Sequence, residues 1–222
     1  MGIEKIKQIV EKYQRGTSAP LGVAFKDLKT GATVTCHAEE PFPTASAYKI
    51  YVLAELYRKA YSGECNLNDR YPLTADIKSI GSSVLEQLDA GLNLTLKDYA
   101  TLMMIISDNT ATDFLFNFLG RDKIKKNVID ALGFSHTKCD WGCQKLIDVY
   151  YDMNGRDFQQ LWEDNGKRSP SYHNSKWYQC VTEENDQTAP IEALKMLELL
   201  YLGAWVNQEA SEGMLAIMKQ CQ

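Results

Sequence analysis

The sequence has no long hydrophobic run: its longest comparable stretch, Leu102–Ile106, is far shorter than the roughly 18 apolar residues that a membrane-spanning helix needs. Glycine, proline and cysteine are also scarce, with 14, 6 and 6 residues among 222. These shortages exclude a collagen, a disordered chain and a small disulfide-held scaffold. The cysteines form no C-x-x-C pair, so they do not indicate a redox compartment.

Basic residues are not in excess either, since 24 Lys and Arg stand against 29 Asp and Glu, for a net charge of −5. This balance argues against nucleic acid as a partner. The sequence does contain an ordinary globular share of apolar residues, 45%. A chain of this length can bury roughly 70% of its unfolded surface, enough for one domain or two closely packed ones without a metal or a disulfide.

The hydrophobic pattern of the first half predicts a helix and a hairpin, followed by a helical region. Residues 3–14 have the amphipathic spacing of a helix that packs on a sheet. Leu21–Phe25 and Ala32–Cys36 flank a Gly-containing loop, which predicts a β-hairpin. From Ala45 to about residue 133 the pattern is that of helices joined by short loops.

Helix-end signals divide this helical region. Thr95–Asp98 and Thr110–Asp113 both match the capping box, and the apolar stretch Tyr99–Ile106 between them predicts the central buried helix of a bundle. Gly120 and Gly133 are placed where glycines follow helix ends. Beyond them, residues 139–187 predict a long loop region with one short helix, and helices resume at Pro190 and continue to Met218.

The first candidate for chemistry is the S-x-x-K tetrapeptide Ser46–Lys49, where the hairpin region gives way to helix. Residues i and i+3 are neighbours on a helix, so a buried Lys49 could act as a base on the Ser46 hydroxyl. Such a tetrapeptide is also expected by chance about once in a chain of this length, as an N-cap serine with a solvated lysine.

The second candidate is the rarer tripeptide Ser107-Asp108-Asn109 at the end of the apolar helix. It can place a hydroxyl and a carboxamide in an interior cleft, or it can be an ordinary turn between helices. The two readings have equal weight on spacing alone.

Together, S-x-x-K and S-D-N are part of the signature of class A β-lactamases and penicillin-binding proteins, and the chain resembles that superfamily along essentially its whole length. The segments that carry the resemblance occur in the family's order: Phe42–Lys49, Leu94–Met103, Ser107–Leu115 and Asp186–Pro190. The resemblance implies an α/β fold in which an all-helical subdomain packs against an antiparallel sheet flanked by helices. Residues 1–44 and 187–222 would belong to the sheet subdomain, and residues 45–186 to the helical one, with an Ω-loop-like region at 137–187.

The resemblance also implies roles for individual residues. Ser46 would be the acylated nucleophile, with its own N–H in the oxyanion hole, and Lys49 its base or proton relay. Ser107 would pass a proton to the β-lactam nitrogen, and Asn109 would hold Lys49 and the substrate amide. Asp108 and Asp186 would be structural, and no cofactor would be needed.

The implied substrate is a β-lactam or a D-Ala-D-Ala-like amide, and the leading hypothesis is acylation followed by slow hydrolysis. A penicillin-binding D,D-peptidase and a non-catalytic homologue that binds a ligand or partner are the alternatives. Family members work outside the cytoplasm, so the periplasm or the cell exterior is expected.

The sequence departs from the family pattern at the deacylating glutamate. That residue is expected in a Glu-x-x-Leu-Asn context, but the corresponding stretch Thr137–Leu146 contains no glutamate. Glu163, Glu183 and Glu184 are possible substitutes, although surface acids are the simpler interpretation. Without a base that activates water, the acyl-enzyme should persist.

The second departure concerns K-T-G, which the family has on a strand well after the Ω-loop. Here Lys29-Thr30-Gly31 lies in the predicted hairpin turn, so we interpret it as a turn and not as part of the site. We therefore expect an incomplete sheet with an open edge and exposed apolar surface, in a truncated or processed chain or one whose sheet a second chain completes.

A zinc site is a weaker alternative. His136, Cys139 and Cys143 give an H-x-x-C-x-x-x-C spacing, to which His173 or Cys180 could add a ligand, but the spacing fits no common zinc site. Buried thiols are the more common outcome, and we predict no metal. Aromatic residues in the same region could line the mouth of a site, although loop packing is the simpler interpretation; they are Trp141, Trp162, Tyr172, Trp177 and Tyr178.

Overall fold

The computed structural model describes residues 2–17, 19–150, 163 and 185–221. The chain has a mixed α/β fold, as predicted. In this part of the chain, the strands form antiparallel pairs and no larger sheet. None of the described helices is long and apolar enough to cross a membrane. The division at residues 44 and 186 remains a prediction.

The N-terminal helix and hairpin form as the pattern predicts. Helix α1 is Ile3–Gly16, and strands β1 (Val23–Lys26) and β2 (Thr33–Cys36) pair antiparallel. The Asp27 carboxylate accepts the N–H of Lys29 at 2.9 Å and shapes the turn. Within the described residues no third strand joins this pair, and α1 lies against β2 without burying any residue.

Helix α2 (Lys49–Tyr61) forms the centre of the core, and a 3₁₀ turn, Ala45–Tyr48, precedes it. Every residue from Lys49 to Tyr57 is buried. Trp205 packs at the same helix and donates its indole N–H to the Ala54 carbonyl at 3.0 Å. Since truncating a buried leucine costs about 2–5 kcal/mol, the buried Leu53 and Leu56 of α2 each contribute substantially to stability.

The expectation for the apolar stretch Tyr99–Ile106 was wrong in position. It lies in helix α3 (Leu96–Ile105), which buries one side only, and Ile106 is 40% exposed. The central helix is α2, because other helices pack around it on all sides. The periodicity of one segment does not indicate how many neighbours will cover it.

One of the two predicted capping boxes is confirmed. Thr95 and Asp98 exchange hydrogen bonds of 2.9 Å at the start of α3. The box at Thr110–Asp113 is wrong, because helix α4 (Asn109–Leu119) begins earlier and is capped by Asp108, whose carboxylate accepts the N–H of Ala111 at 2.9 Å.

The remaining elements complete the framework around α2. Gly120 has φ +83° and ends α4, and Gly133 has φ +66° after a π-helical turn at Lys125–Asp130. The remaining bounds are β3 Phe42–Pro43, β4 Arg70–Pro72, β5 Asn93–Thr95, α5 Arg121–Ile124, α6 Cys143–Tyr150, β6 Gln187–Thr188, α7 Pro190–Tyr201 and α8 Gln208–Met218. Strand β3 pairs with β6, and β4 pairs with β5.

Candidate active site

The candidate nucleophile Ser46 is exposed in the 3₁₀ turn that leads into α2. Ala45 before it has φ +44°, a left-handed conformation that costs a non-glycine residue about 1–3 kcal/mol. The turn is held from behind by Thr44, whose N–H donates to the Asp186 carbonyl at 3.1 Å beside the β3–β6 pair. Such local strain, fixed by surrounding structure, is typical of functional turns.

The Lys49 side chain is buried, with 2% exposure, and three uncharged acceptors surround its amine. Nζ donates to the Ser107 carbonyl at 2.8 Å, to Ser107 Oγ at 2.9 Å and to Asn109 Oδ1 at 3.2 Å. Burial lowers the pKa of Lys49, although nearby acidic groups oppose this shift.

Ser107 connects Lys49 with Ser46. Its hydroxyl donates to Ser46 Oγ at 2.8 Å, so an unbroken chain of hydrogen bonds runs from the buried amine to the exposed hydroxyl. The sequence predicts a direct i, i+3 approach of Lys49 to Ser46, whereas the structure joins them through this third residue. Ser107 has φ +59°, so its backbone is also in a conformation that serine rarely adopts.

Asp108 is fully buried and organises the surrounding loop. Its carboxylate accepts the N–H groups of Val84 and Leu85, at 2.6 and 3.0 Å, and the hydroxyl of Ser83 at 2.9 Å, besides capping α4. The neighbouring Asn109 donates its amide to the carbonyl of Ile80 at 2.9 Å and so turns its oxygen toward Lys49.

Two groups beside Lys49 were missed as site residues by the sequence analysis. Asp113 interacts electrostatically with Lys49, and so does Cys143, whose Sγ lies 3.1 Å from the Tyr48 hydroxyl. The Asp113 carboxylate accepts the backbone N–H groups of Cys143 and Gln144. The sequence pattern assigned Asp113 to a capping box and Cys143 to a weak zinc site. Their position beside Lys49 depends on how α4 and α6 pack against α2, which no local motif indicates.

Asp186 joins the nucleophile turn to the segment before α6. Its carboxylate accepts the N–H of Asp140 at 2.8 Å and of Trp141 at 3.4 Å, while its carbonyl binds Thr44. Burial raises the pKa of Asp186 to about 7, against the effect of these two backbone donors and of Arg121. The structural role of Asp186 remains a prediction.

The remaining candidates contribute no chemistry in the part of the chain that is described. Lys29-Thr30-Gly31 forms the β1–β2 turn, with Gly31 at φ +74°. Glu163 is exposed. The described residues contain no group of three metal-ligating side chains, and burial is the main cause that raises the pKa of the Cys139 and Cys143 thiols. The other candidates named from sequence lie outside the described residues; they are Trp162, Tyr172, His173, Trp177, Tyr178, Cys180, Glu183 and Glu184.

Comparison with known proteins agrees with this architecture. Residues 3–222 match the model of the beta-lactamase enzyme family. A beta-lactamase of Sphaerobacter thermophilus is 25% identical, with a TM-score of 0.77 over all of this chain and 71% of its own. The structure of PBP-A superposes with a TM-score of 0.73 at 18% identity, over 99% of this chain and 69% of its own.

A curated relative, beta-lactamase CARB-4 of Pseudomonas aeruginosa, is 25% identical over 138 residues, which is 62% of this chain and 47% of the relative. The chain thus spans about half the length of the first curated relatives that it matches. The fold and the paired S-x-x-K and S-D-N segments define the serine β-lactamase and penicillin-binding class. The chain belongs to the beta-lactamase enzyme family.

Proposed function

We propose that the protein is a β-lactamase-like serine hydrolase that opens β-lactam rings through an acyl-enzyme on Ser46. The observation that carries this proposal is the hydrogen-bonded series Lys49–Ser107–Ser46. It couples an exposed hydroxyl to a buried amine, which is what activation of a serine nucleophile requires.

The reaction begins when neutral Lys49 takes the Ser46 proton through the Ser107 hydroxyl. Ser46 Oγ then forms a bond to the lactam carbonyl carbon, and the C–N bond of the ring breaks. The proton returns from Lys49 through Ser107 to the departing nitrogen, so the net products are an ester on Ser46 and an N–H group. Because Ser46 lies in the first turn before α2, backbone N–H groups without helical partners can stabilise the oxyanion.

Hydrolysis of this ester should be slow, because the described carboxylates near Ser46 are already engaged by protein donors. Asp108 accepts four hydrogen bonds, Asp113 accepts three, and Asp186 holds two backbone N–H groups. A carboxylate held in this way has little capacity to orient and deprotonate a water molecule. A variant of PBP-A, a fold neighbour, is described as an acyl-enzyme complex with penicillin G.

Intact-protein mass spectrometry after brief mixing with a penicillin tests the proposal. A Ser46-dependent adduct that disappears within an hour supports a hydrolase. An adduct that persists for days supports the penicillin-binding alternative, including a D,D-peptidase. The absence of any adduct supports a non-catalytic homologue and contradicts the acyl-enzyme.

Two variants make this experiment specific. Ser46→Ala should abolish the adduct, because the oxygen that forms the ester is gone. Ser62→Ala is the matched control, since Ser62 follows α2 at its opposite end and bonds only to local groups. An adduct that survives Ser46→Ala would place the nucleophile elsewhere.

A further inference from the structure

The first turn of α6 contains a side chain, Gln144, that the proposed acylation does not use. Its carbonyl oxygen Oε1 accepts the N–H of Ile80 at 3.1 Å. The Ile80 carbonyl in turn accepts Nδ2 of Asn109 at 2.9 Å, and Asn109 Oδ1 accepts Lys49 Nζ at 3.2 Å. Three consecutive hydrogen bonds therefore link Gln144 to the candidate base.

The partners of the two side-chain amides determine which way each amide faces. A backbone carbonyl only accepts hydrogen bonds, so the Ile80 carbonyl selects Nδ2 of Asn109 and leaves Oδ1 for Lys49. The same reasoning applies to Gln144, because the N–H of Ile80 only donates and the Asp148 carboxylate accepts Nε2 at 2.8 Å. Gln144 is thus held at both ends of its amide and presents its oxygen to Ile80.

The contacts of Gln144 and Asn109 close into a ring that includes α4. The backbone N–H of Gln144 donates to the Asp113 carboxylate at 2.9 Å, and Asp113 lies one turn after Asn109 on α4. The ring therefore runs from Asn109 through Ile80, Gln144 and Asp113 and back along α4. Because one side of the ring is a helix, a shift of Ile80 strains or breaks one of its hydrogen bonds.

The loop that carries Ile80 has little spare room beside Asn109. Gly81 has φ +96°, and a Cβ atom there would lie 3.0 Å from Asn109 Nδ2 and 3.3 Å from Cδ1 of Ile147 in α6. The backbone N–H of Asn109 also donates to the Ser82 carbonyl at 2.7 Å. The loop is thus packed between α6 and the start of α4, and Gln144 is the side chain that bonds it to α6.

We propose that Gln144 is a positioning residue for acylation, because it holds Ile80 where the Ile80 carbonyl turns the Asn109 amide oxygen toward Lys49. This inference rests on the proposed function for the reaction that Lys49 serves. Gln144 contacts no substrate and carries no proton in it. Its effect on the rate must therefore pass through Asn109, and this dependence can be measured.

The test compares the rate of penicillin adduct formation on Ser46 in two backgrounds. In the natural protein, Gln144→Ala should slow acylation by about tenfold, the scale of one positioned hydrogen bond. In the Asn109→Ala background, Gln144→Ala should change the rate by less than about twofold, because the side chain through which Gln144 acts is gone. A folded Gln144→Ala variant that acylates at the natural rate, or that slows acylation equally in both backgrounds, would overturn the inference.

An exchange of hydrogen-bond partners tests the same contact without creating a cavity. Gln144→Glu places two carboxylates one helical turn apart, which should displace the side chain from Ile80 and slow acylation. Adding Asp148→Asn should restore the rate to within about threefold of the natural one, since the donor and the acceptor have only changed places. A double variant that stays as slow as Gln144→Glu would contradict the inference.

Gln208→Ala is the matched control. Gln208 makes the same kind of i, i+4 contact with an acid, Glu212, on the exposed side of α8. Its removal should leave the acylation rate unchanged.

The Asn109 side-chain amide gives a readout that needs no substrate. Its proton–nitrogen NMR signals, assigned by their loss in Asn109→Ala, should shift in Gln144→Ala and stay in place in Gln208→Ala. If they shift while the natural protein forms no penicillin adduct, the proposed function fails and the positioning of Asn109 by Gln144 stands. If the adduct forms but neither its rate nor these signals respond to Gln144→Ala, this inference alone fails.

Discussion

Ser107 Oγ donates a 2.8 Å hydrogen bond to Ser46 Oγ, although 61 residues separate the two serines in the chain. The backbone of Ser107 adopts a left-handed conformation, φ +59°, just after α3, which is unfavourable for a residue other than glycine. Both hydrogen bonds of the Lys49–Ser107–Ser46 series join the start of α2 to the loop between α3 and α4. The chemistry at Ser46 therefore depends on how well Ser107 is held.

Two substitutions of Ser107 separate its hydroxyl from its backbone conformation. Ser107→Ala and Ser107→Gly should each slow acylation by about 100- to 10,000-fold, because both remove the proton relay. Glycine adopts positive φ without penalty, so Ser107→Gly should be more stable than Ser107→Ala by about 1 kcal/mol. Stopped-flow mixing with a penicillin measures the acylation rate, and urea unfolding measures the difference in stability. Equal stability of the two variants would show that φ +59° carries no strain.

Lys49→Arg tests whether the amine works as a base or only as a positive charge. Arginine keeps the charge but does not lose its proton in proteins, so acylation should fall by about 100-fold or more. The rate of adduct formation measures this. Lys59→Arg, on the half-buried last turn of α2, is the matched control and should leave the acylation rate unchanged. If a folded Lys49→Arg variant acylated at nearly the natural rate, Lys49 would not act as the base.

Gly142→Ala tests the contact between α4 and the start of α6. The new Cβ atom would lie 2.4 Å from Asp113 Oδ1, so either the carboxylate or the Cys143 N–H group must move. We expect a loss of about 1–3 kcal/mol in the free energy of unfolding, since a buried hydrogen-bonded group loses partners. Gly16→Ala, at the exposed end of α1 with open space around it, should be neutral or slightly stabilising.

The sequence predicts well those features that depend on a few neighbouring residues. The Thr95–Asp98 capping box, the turn at Gly31 and the helix start at Pro190 all form as expected, because each is satisfied by local hydrogen bonds or by a fixed φ. Ser46, Lys49, Ser107 and Asn109 were named from motifs, and the structure brings them together.

Features that depend on packing between distant segments were not predictable in the same way. The local sequence predicts that Asp113 belongs to a helix cap. Its carboxylate instead accepts hydrogen bonds from Ser79 and from the start of α6, each about thirty residues away along the chain. Likewise α2 and not α3 is central, because only the tertiary arrangement decides which apolar helix is covered on every side.

Asp186→Asn should change how stability depends on pH. The pKa of Asp186 is raised to about 7 in the folded protein, whereas an unfolded aspartate titrates near about 3.9. Between these values the folded state binds the additional proton, so its contribution to stability is complete in acid and is lost as the pH rises through about 7. Asparagine cannot titrate, so the variant lacks this loss.

Urea unfolding at several pH values measures the difference between the natural protein and Asp186→Asn. From about pH 5 to about pH 7 the natural protein should lose about 2–3 kcal/mol relative to the variant, an order of magnitude that follows from 1.36 kcal/mol per pH unit. Asp98→Asn is the control of opposite sign. Hydrogen bonds from the Thr95 hydroxyl and N–H lower the pKa of Asp98, so its contribution changes only in stronger acid and the difference should be flat over this range. A flat difference for Asp186→Asn as well would mean that the backbone N–H groups of Asp140 and Trp141 keep that carboxylate ionised despite its burial.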